Sequence, residues 1–266
     1  YSRFSGYGPA YGANYLRPAS TFGQAGFNSM ANAINYQPDD VERILKIKRI
    51  LDNNFDQTAD NLPGIQNTPE DREAIKTFYL DVIQKIQSGT IELPIPAGAP
   101  TNVTGDQIAI TGAWEVLDRF TPELTVVNTT NLDICHSNFS LYLNFLHQAY
   151  YAVGWLWNKI QNHPVLKDDT ILICVPEHGR NLDPNNLVDG AGLRAYDHTG
   201  DYNSRRIFSL VVGPPDKVIQ GQSLGSNGNP AAESIDIVPT IAHILGFGED
   251  IPPGLLPGQV MEQAFI

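Results

Sequence analysis

After residue 113 the chain alternates short, unbroken apolar runs with longer helical stretches, and this rhythm constrains the fold more than any other feature. The runs 124–127 (LTVV), 170–175 (TILICV) and 207–212 (IFSLVV) lack the strict polar alternation of a strand with one wet face. They therefore predict strands covered on both sides. Helical spacing recurs between and around them, at 114–120, 141–161 and 235–245. Strands and helices in alternation predict an α/β fold with a largely parallel sheet covered by helices on both faces. In such sheets ligands collect beyond the carboxyl ends of the strands.

The preceding residues follow other rules. Residues 1–38 place Gly6, Gly8, Gly12, Gly23 and Gly26 among aromatics and amides without a period of 2 or 3.6, and read as an irregular Gly/Tyr/Asn-rich arm. Residues 39–112 read as a helical segment followed by a surface loop. Asp39 and Asp40 cap a first helix with an apolar stripe from Val41 to Leu51. Thr68 caps a second, with Pro69 in its first turn, Glu70, Asp71 and Glu73 near its positive end, and Gly89 as its stop. The Pro/Gly-rich stretch from Ile91 to Gly112 predicts a loop. The α/β portion is then 113–266.

A chain of 266 residues with a formal charge of −12 repels nucleic-acid backbones and anionic membrane surfaces at long range. A small anionic substrate is still compatible with that charge, because bound metal ions invert the field locally. No apolar run reaches the roughly 18 residues needed to span a bilayer. Two cysteines, Cys135 and Cys174, are too few for a disulfide framework and read as reduced. Few Lys and Arg and many Asn, Gly and Tyr residues lean towards an exported bacterial protein, periplasmic or at the cell surface.

The polar residues that follow the predicted strands carry the chemistry. Asp133 and His136 follow the first, Glu177 and His178 follow the second, and His198 lies in the loop after it. A Glu-His pair directly after a buried strand calls for a partner, since a buried charge is costly unless it is paired or bound to metal. Asp and His three apart can present an oxygen and a nitrogen on one side of a turn, as a borderline metal requires. Each residue also has a plainer reading: Asp133 as a helix cap, His136 as a loop histidine, Glu177 as a surface charge, His198 as a turn residue. His147, His163 and His243 read as solvated or structural. Arg180, and Arg205 with Arg206, could neutralise a phosphate or sulfate, or pair internally with Asp183 or Asp201.

The ordered segments DDTILICVPEHGRN, YDHTGDYNSRRIFSLVVGPP and ESIDIVPTIAHILGF, preceded by LDICH, resemble the closing part of the alkaline phosphatase superfamily. That superfamily includes alkaline phosphatases, sulfatases, nucleotide pyrophosphatases and cofactor-independent phosphoglycerate mutases. The resemblance covers roughly 113–250. It implies an alkaline-phosphatase-like fold and a two-metal hydrolase of phosphate or sulfate esters, or a phosphoryl-transfer enzyme. Zinc or manganese would be the metals. Asp133, His136 and His198 would hold one ion, and Glu177 and His178 would help to hold the second. Glu177 stands where the family usually has Asp, and Asp133 and His136 are one residue closer than usual. The family's first Asp and its Ser, Thr or modified Cys nucleophile are not recognisable, so the catalytic residue is unidentified. The chain, opening at Tyr1 without a Met, is expected to be the later part of a longer polypeptide and to lack the first strands of the sheet, which a missing segment or a protein partner would complete. The rival expectation is a non-catalytic member of the superfamily acting as a surface or assembly protein.

Overall fold

The computed structural model describes residues 69–98, 103–226 and 228–266; the arm at 1–38 and the helix expected after Asp40 lie outside them. The described chain is mixed helix and strand, and it divides into two compact units. Described residues up to 135, together with 141–156, make the first; residues 136–140 and 157–266 make the second.

In the first unit, α1 runs Pro69–Gln87 and α2 runs Gly105–Phe120. The buried face of α1 is an apolar stripe at helical spacing: Ile75, Phe78, Tyr79 and Ile83 pack with Val116 of α2. The rings of Phe78 and Phe120 meet edge to face with centroids 5.2 Å apart. Burying side chains of this size stabilises by about 1.5–3 kcal/mol each. Gly89, at φ +68, takes the left-handed conformation that ends the helix.

Three expectations need correction. First, the surface loop predicted to continue to Gly112 stops at Val103, because Thr104 and Gln107 form a capping box that starts α2 at Gly105. Secondly, the apolar run 124–127 is irregular, with Leu124 and Val126 exposed. It has no ladder partner among the described residues, and an extended segment becomes a strand only by pairing.

The third concerns the sheet. In the second unit, β1 (Leu172–Cys174) and β2 (Leu210–Val212) pair antiparallel, Leu172 opposite Val212 and Cys174 opposite Leu210. This is the sheet found among the described residues, and the large parallel one is not seen there. The reason lies in the connection. Parallel neighbours need a crossover, usually helical, whereas the chain between β1 and β2 contains only the short 3-10 turn Asn203–Arg205.

A long helix, α3 (Phe139–Asn162), precedes β1, and α4 (Ile237–Ile244) follows β2 behind a 3-10 turn at Ser234–Asp236. The carboxyl terminus returns to the second unit, where Ile219 N–H donates to Ala264 O and Ile266 N–H to Lys217 O. These bonds bury Val218. No described helix is long and apolar enough to cross a membrane.

Candidate functional site

Beyond β1 the chain passes through Val175 and Pro176 to Glu177 and His178. Gly179 then lets the backbone of the 203–206 turn approach closely: its N–H donates to Ser204 O at 2.8 Å, and a Cβ here would run into the carbonyl oxygens of Asn203 and Arg206. This contact fixes the direction of His178. The His178 Nδ1 lies 2.8 Å from Gly179 O. A carbonyl can only accept, so Nδ1 carries the proton and the neutral ring keeps its lone pair on Nε2.

The stretch from Asn181 to Thr199, expected as a polar loop, folds back on itself as a hairpin-like loop with an isolated antiparallel bridge, Val188 to Arg194. Asn181 N–H donates to Asp197 O, Asn185 N–H to Ala195 O, Ala195 N–H to Leu187 O and Asp189 N–H to Leu193 O. Gly192, at φ +79, turns its tip, and Ala195 is fully buried. At the open end Asn181 brackets Thr199, accepting its N–H at 3.0 Å and donating to its hydroxyl at 2.6 Å. His198, one residue earlier, is therefore held beside a pinned loop end.

Three imidazoles meet there. His198 stacks on His178 with centroids 4.0 Å apart and planes 27° apart, and meets His136 edge to face at 4.7 Å. Asp197 joins them: its Oδ1 accepts the His198 N–H at 2.8 Å and faces His136 Nδ1 at 3.0 Å. The His198 N–H first, and the His136 hydrogen bond second, hold the Asp197 carboxyl below its ordinary range against a smaller opposing effect of burial. An ionised Asp197 makes Nδ1 of His136 the donor and places the neutral ring's lone pair on Nε2. Ligand atoms of His136, Asp197 and His198 lie within 4.8 Å of one another, and all three residues are half-buried.

Two imidazole nitrogens and a carboxylate oxygen within mutual reach suit zinc or manganese better than calcium, which prefers oxygen shells. A carboxylate on the Nδ1 side of a histidine also orients the ring and raises its basicity as a ligand. Asp197 was not among the residues anticipated from sequence. The signal for it is the repetition of an acid directly before a histidine, at 177–178 and again at 197–198.

The other anticipated residues are placed as follows. Glu177 is exposed and is not part of the His136, Asp197, His198 group. Asp133 belongs to the first unit, exposed in the turn 131–134. Arg180 donates to Tyr196 O at 3.1 Å, next to Asp197. Arg205 is exposed. The Asp201 carboxylate accepts the N–H groups of Leu182 and Ser204, at 2.7 and 2.9 Å, which lower its pKa. Of the histidines read as structural, His163 accepts the N–H groups of Val165 and Leu166 through Nδ1, and His147 and His243 are exposed.

No family model, curated protein or solved structure matches this chain.

Proposed function

We propose that the chain is the metal-binding portion of a hydrolase of phosphate or sulfate esters, using zinc or manganese. The observation that carries this reading is the convergence of His136 and His178 on His198, with Asp197 bonded to His136 and to the His198 N–H. His136 and His178 would bind through Nε2, since Nδ1 of each is committed to a neighbouring acceptor. Asp197 orients His136 and offsets part of the metal's charge. Asp133 and Glu177 enter as further ligands on the sequence resemblance, as do Arg180 and Arg205 as contacts for the ester's oxygens. Bound divalent metal would polarise the non-bridging oxygens and stabilise the leaving oxygen. In this reading the nucleophile and the first Asp lie outside the residues assigned to the site.

The test is calorimetric titration of the purified chain with zinc and with manganese. Saturable binding that His178→Ala or His198→Ala abolishes, and His243→Ala leaves intact, supports the proposal. No saturable binding of either metal removes it. A non-catalytic assembly role is favoured by one observation, the large apolar side chains exposed on the second unit: Leu182 at 71%, Phe208 at 60% and Leu255 at 66%. Sedimentation of the metal-free chain separates the readings, since self-association abolished by Phe208→Ser, in a chain that binds no metal, supports assembly.

A further inference from the structure

His136 does not lie on the hairpin that carries Asp197 and His198. It sits in the short segment 136–140 leading into α3, and segment and hairpin belong to the same unit. A loop of that length would let the ring sample many positions, and fixing one of them costs conformational entropy. The structure ties it at several points besides the ring. Asn185 Nδ2 donates to His136 O at 2.8 Å. Asp189 Oδ2 accepts the N–H of Ser140 at 2.8 Å, one of the α3 donors that has no partner within the helix. The rings of Phe139 and Tyr196 pack with centroids 5.4 Å apart.

Asp189 is itself preorganised. Its Oδ1 accepts Ala191 N–H at 2.9 Å and Leu193 N–H at 3.0 Å, closing the hairpin tip. One carboxylate therefore both closes the turn and caps the helix that follows His136. The His136 backbone and ring are anchored at opposite ends of one hairpin, by Asn185 and Asp189 towards the tip and by Asp197 at the open end.

We infer that Asp189 and Asn185 are positioning residues, which clamp the 136–140 segment to the hairpin and so present His136 to Asp197 and His198. The functional sense of the clamp rests on the metal-site reading above; its geometry does not. Neither residue belongs to the His136, Asp197, His198 group. Asp189→Asn separates the two duties of the carboxylate, because an amide oxygen can still accept from Ala191 and Leu193 while the NH2 turned towards Ser140 cannot accept.

The experiment uses the full chain, metal-free and 15N-labelled, and follows the His136 Nδ1–H proton shared with Asp197. In Asp189→Asn and in Asn185→Ala its exchange with water should rise about tenfold or more, the change expected for loss of one hydrogen bond to a charged or buried group. Circular dichroism should keep its helical amplitude. Val218→Ala, a core truncation distant in sequence from the clamp, serves as the control for general destabilisation and should leave the proton's exchange unchanged. Unaltered exchange in both clamp variants, or equal acceleration in Val218→Ala, overturns the inference. If Asp189→Asn does not fold, Asn185→Ala decides alone, since it removes a single side-chain amide. Titration of the unaltered chain with zinc and with manganese is run alongside: if it binds neither, the metal reading falls while the clamp is still judged on the metal-free proton.

Discussion

At the scale of single residues, the site depends on contacts that leave no room for change. Gly179 follows His178 because the 203–206 backbone occupies the space a side chain would need. Gly179→Ala must push that turn away and lose the Gly179 to Ser204 hydrogen bond. Overpacking of this kind costs about 1–3 kcal/mol, so the variant should unfold at lower urea than the unaltered chain. An unchanged midpoint would show that the 203–206 turn yields freely. The histidines make a second prediction. His178→Ala removes a ring held before any ligand arrives by its bond to Gly179 O and its stack on His198, whereas His243 is exposed on α4. After dialysis against zinc, elemental analysis should find metal reduced at least about tenfold in affinity terms for His178→Ala, the scale of one lost ligand-orienting group, and unchanged for His243→Ala. Equal losses in the two would move the site elsewhere.

At the scale of elements, local signals were legible and partners were not. The α1 stripe and the 3.6-residue period of α3 and α4 can be read directly from the sequence, because a helix satisfies its own backbone. The start of α2 was obscured by Gly105, which reads as loop punctuation, although Thr104 and Gln107 hold the capping signal. Thr104→Ala should cost about 1 kcal/mol, the usual effect of losing such a cap. Chemical denaturation of the chain checks this, and a loss within error would mean that the Asp106 contacts to Thr130 and Asn131 N–H groups define the helix start instead. Strand pairing was the illegible part. Apolar runs such as 170–175 and 207–212 look alike in parallel and antiparallel sheets, and the direction of pairing depends on the connection between them. The hairpin at 181–199 was hidden for a related reason: its rungs are backbone bonds, and side chains such as Asn181, Asn185 and Asp189 read as ordinary loop polarity. His136, His178 and His198 were nevertheless recognisable, since their positions after apolar runs survive the change of sheet direction, while Asp197 became visible only when the hairpin placed it beside His136.

Across the whole molecule, charge and hydrogen bonding pull in opposite directions as pH falls. The formal charge of −12 is dominated by carboxylates, so mild acid relieves general repulsion. In the second unit, however, Asp189, Asp197 and Asp201 accept backbone N–H groups, and all three have lowered pKa values. The Ser140 N–H and then its hydroxyl, followed by the N–H groups of Leu193 and Ala191, bring Asp189 down to about 2. An unfolded Asp titrates near 3.9. A carboxyl depressed in the folded state contributes stability that is fully present above the unfolded pKa and is lost as pH falls through the folded one. The contribution of Asp189 therefore erodes between about pH 4 and pH 2, where the unfolded chain binds the proton more readily than the folded chain. The α1–α2 contact is built mainly on Ile75, Phe78, Tyr79, Ile83 and Val116, with the ion pair of Lys85 and Glu115 beside them. Acid should thus open the hairpin first. Amide hydrogen exchange followed from about pH 5 to pH 2.5, corrected for intrinsic rates, should lose protection at Ala191, Leu193 and Ser140 while Ile83 and Ala113 stay protected. Asp189→Asn should abolish this pH dependence at Ser140, because the titrating group is gone. Simultaneous loss of protection in both units would instead show that acid unfolds the chain through its overall charge.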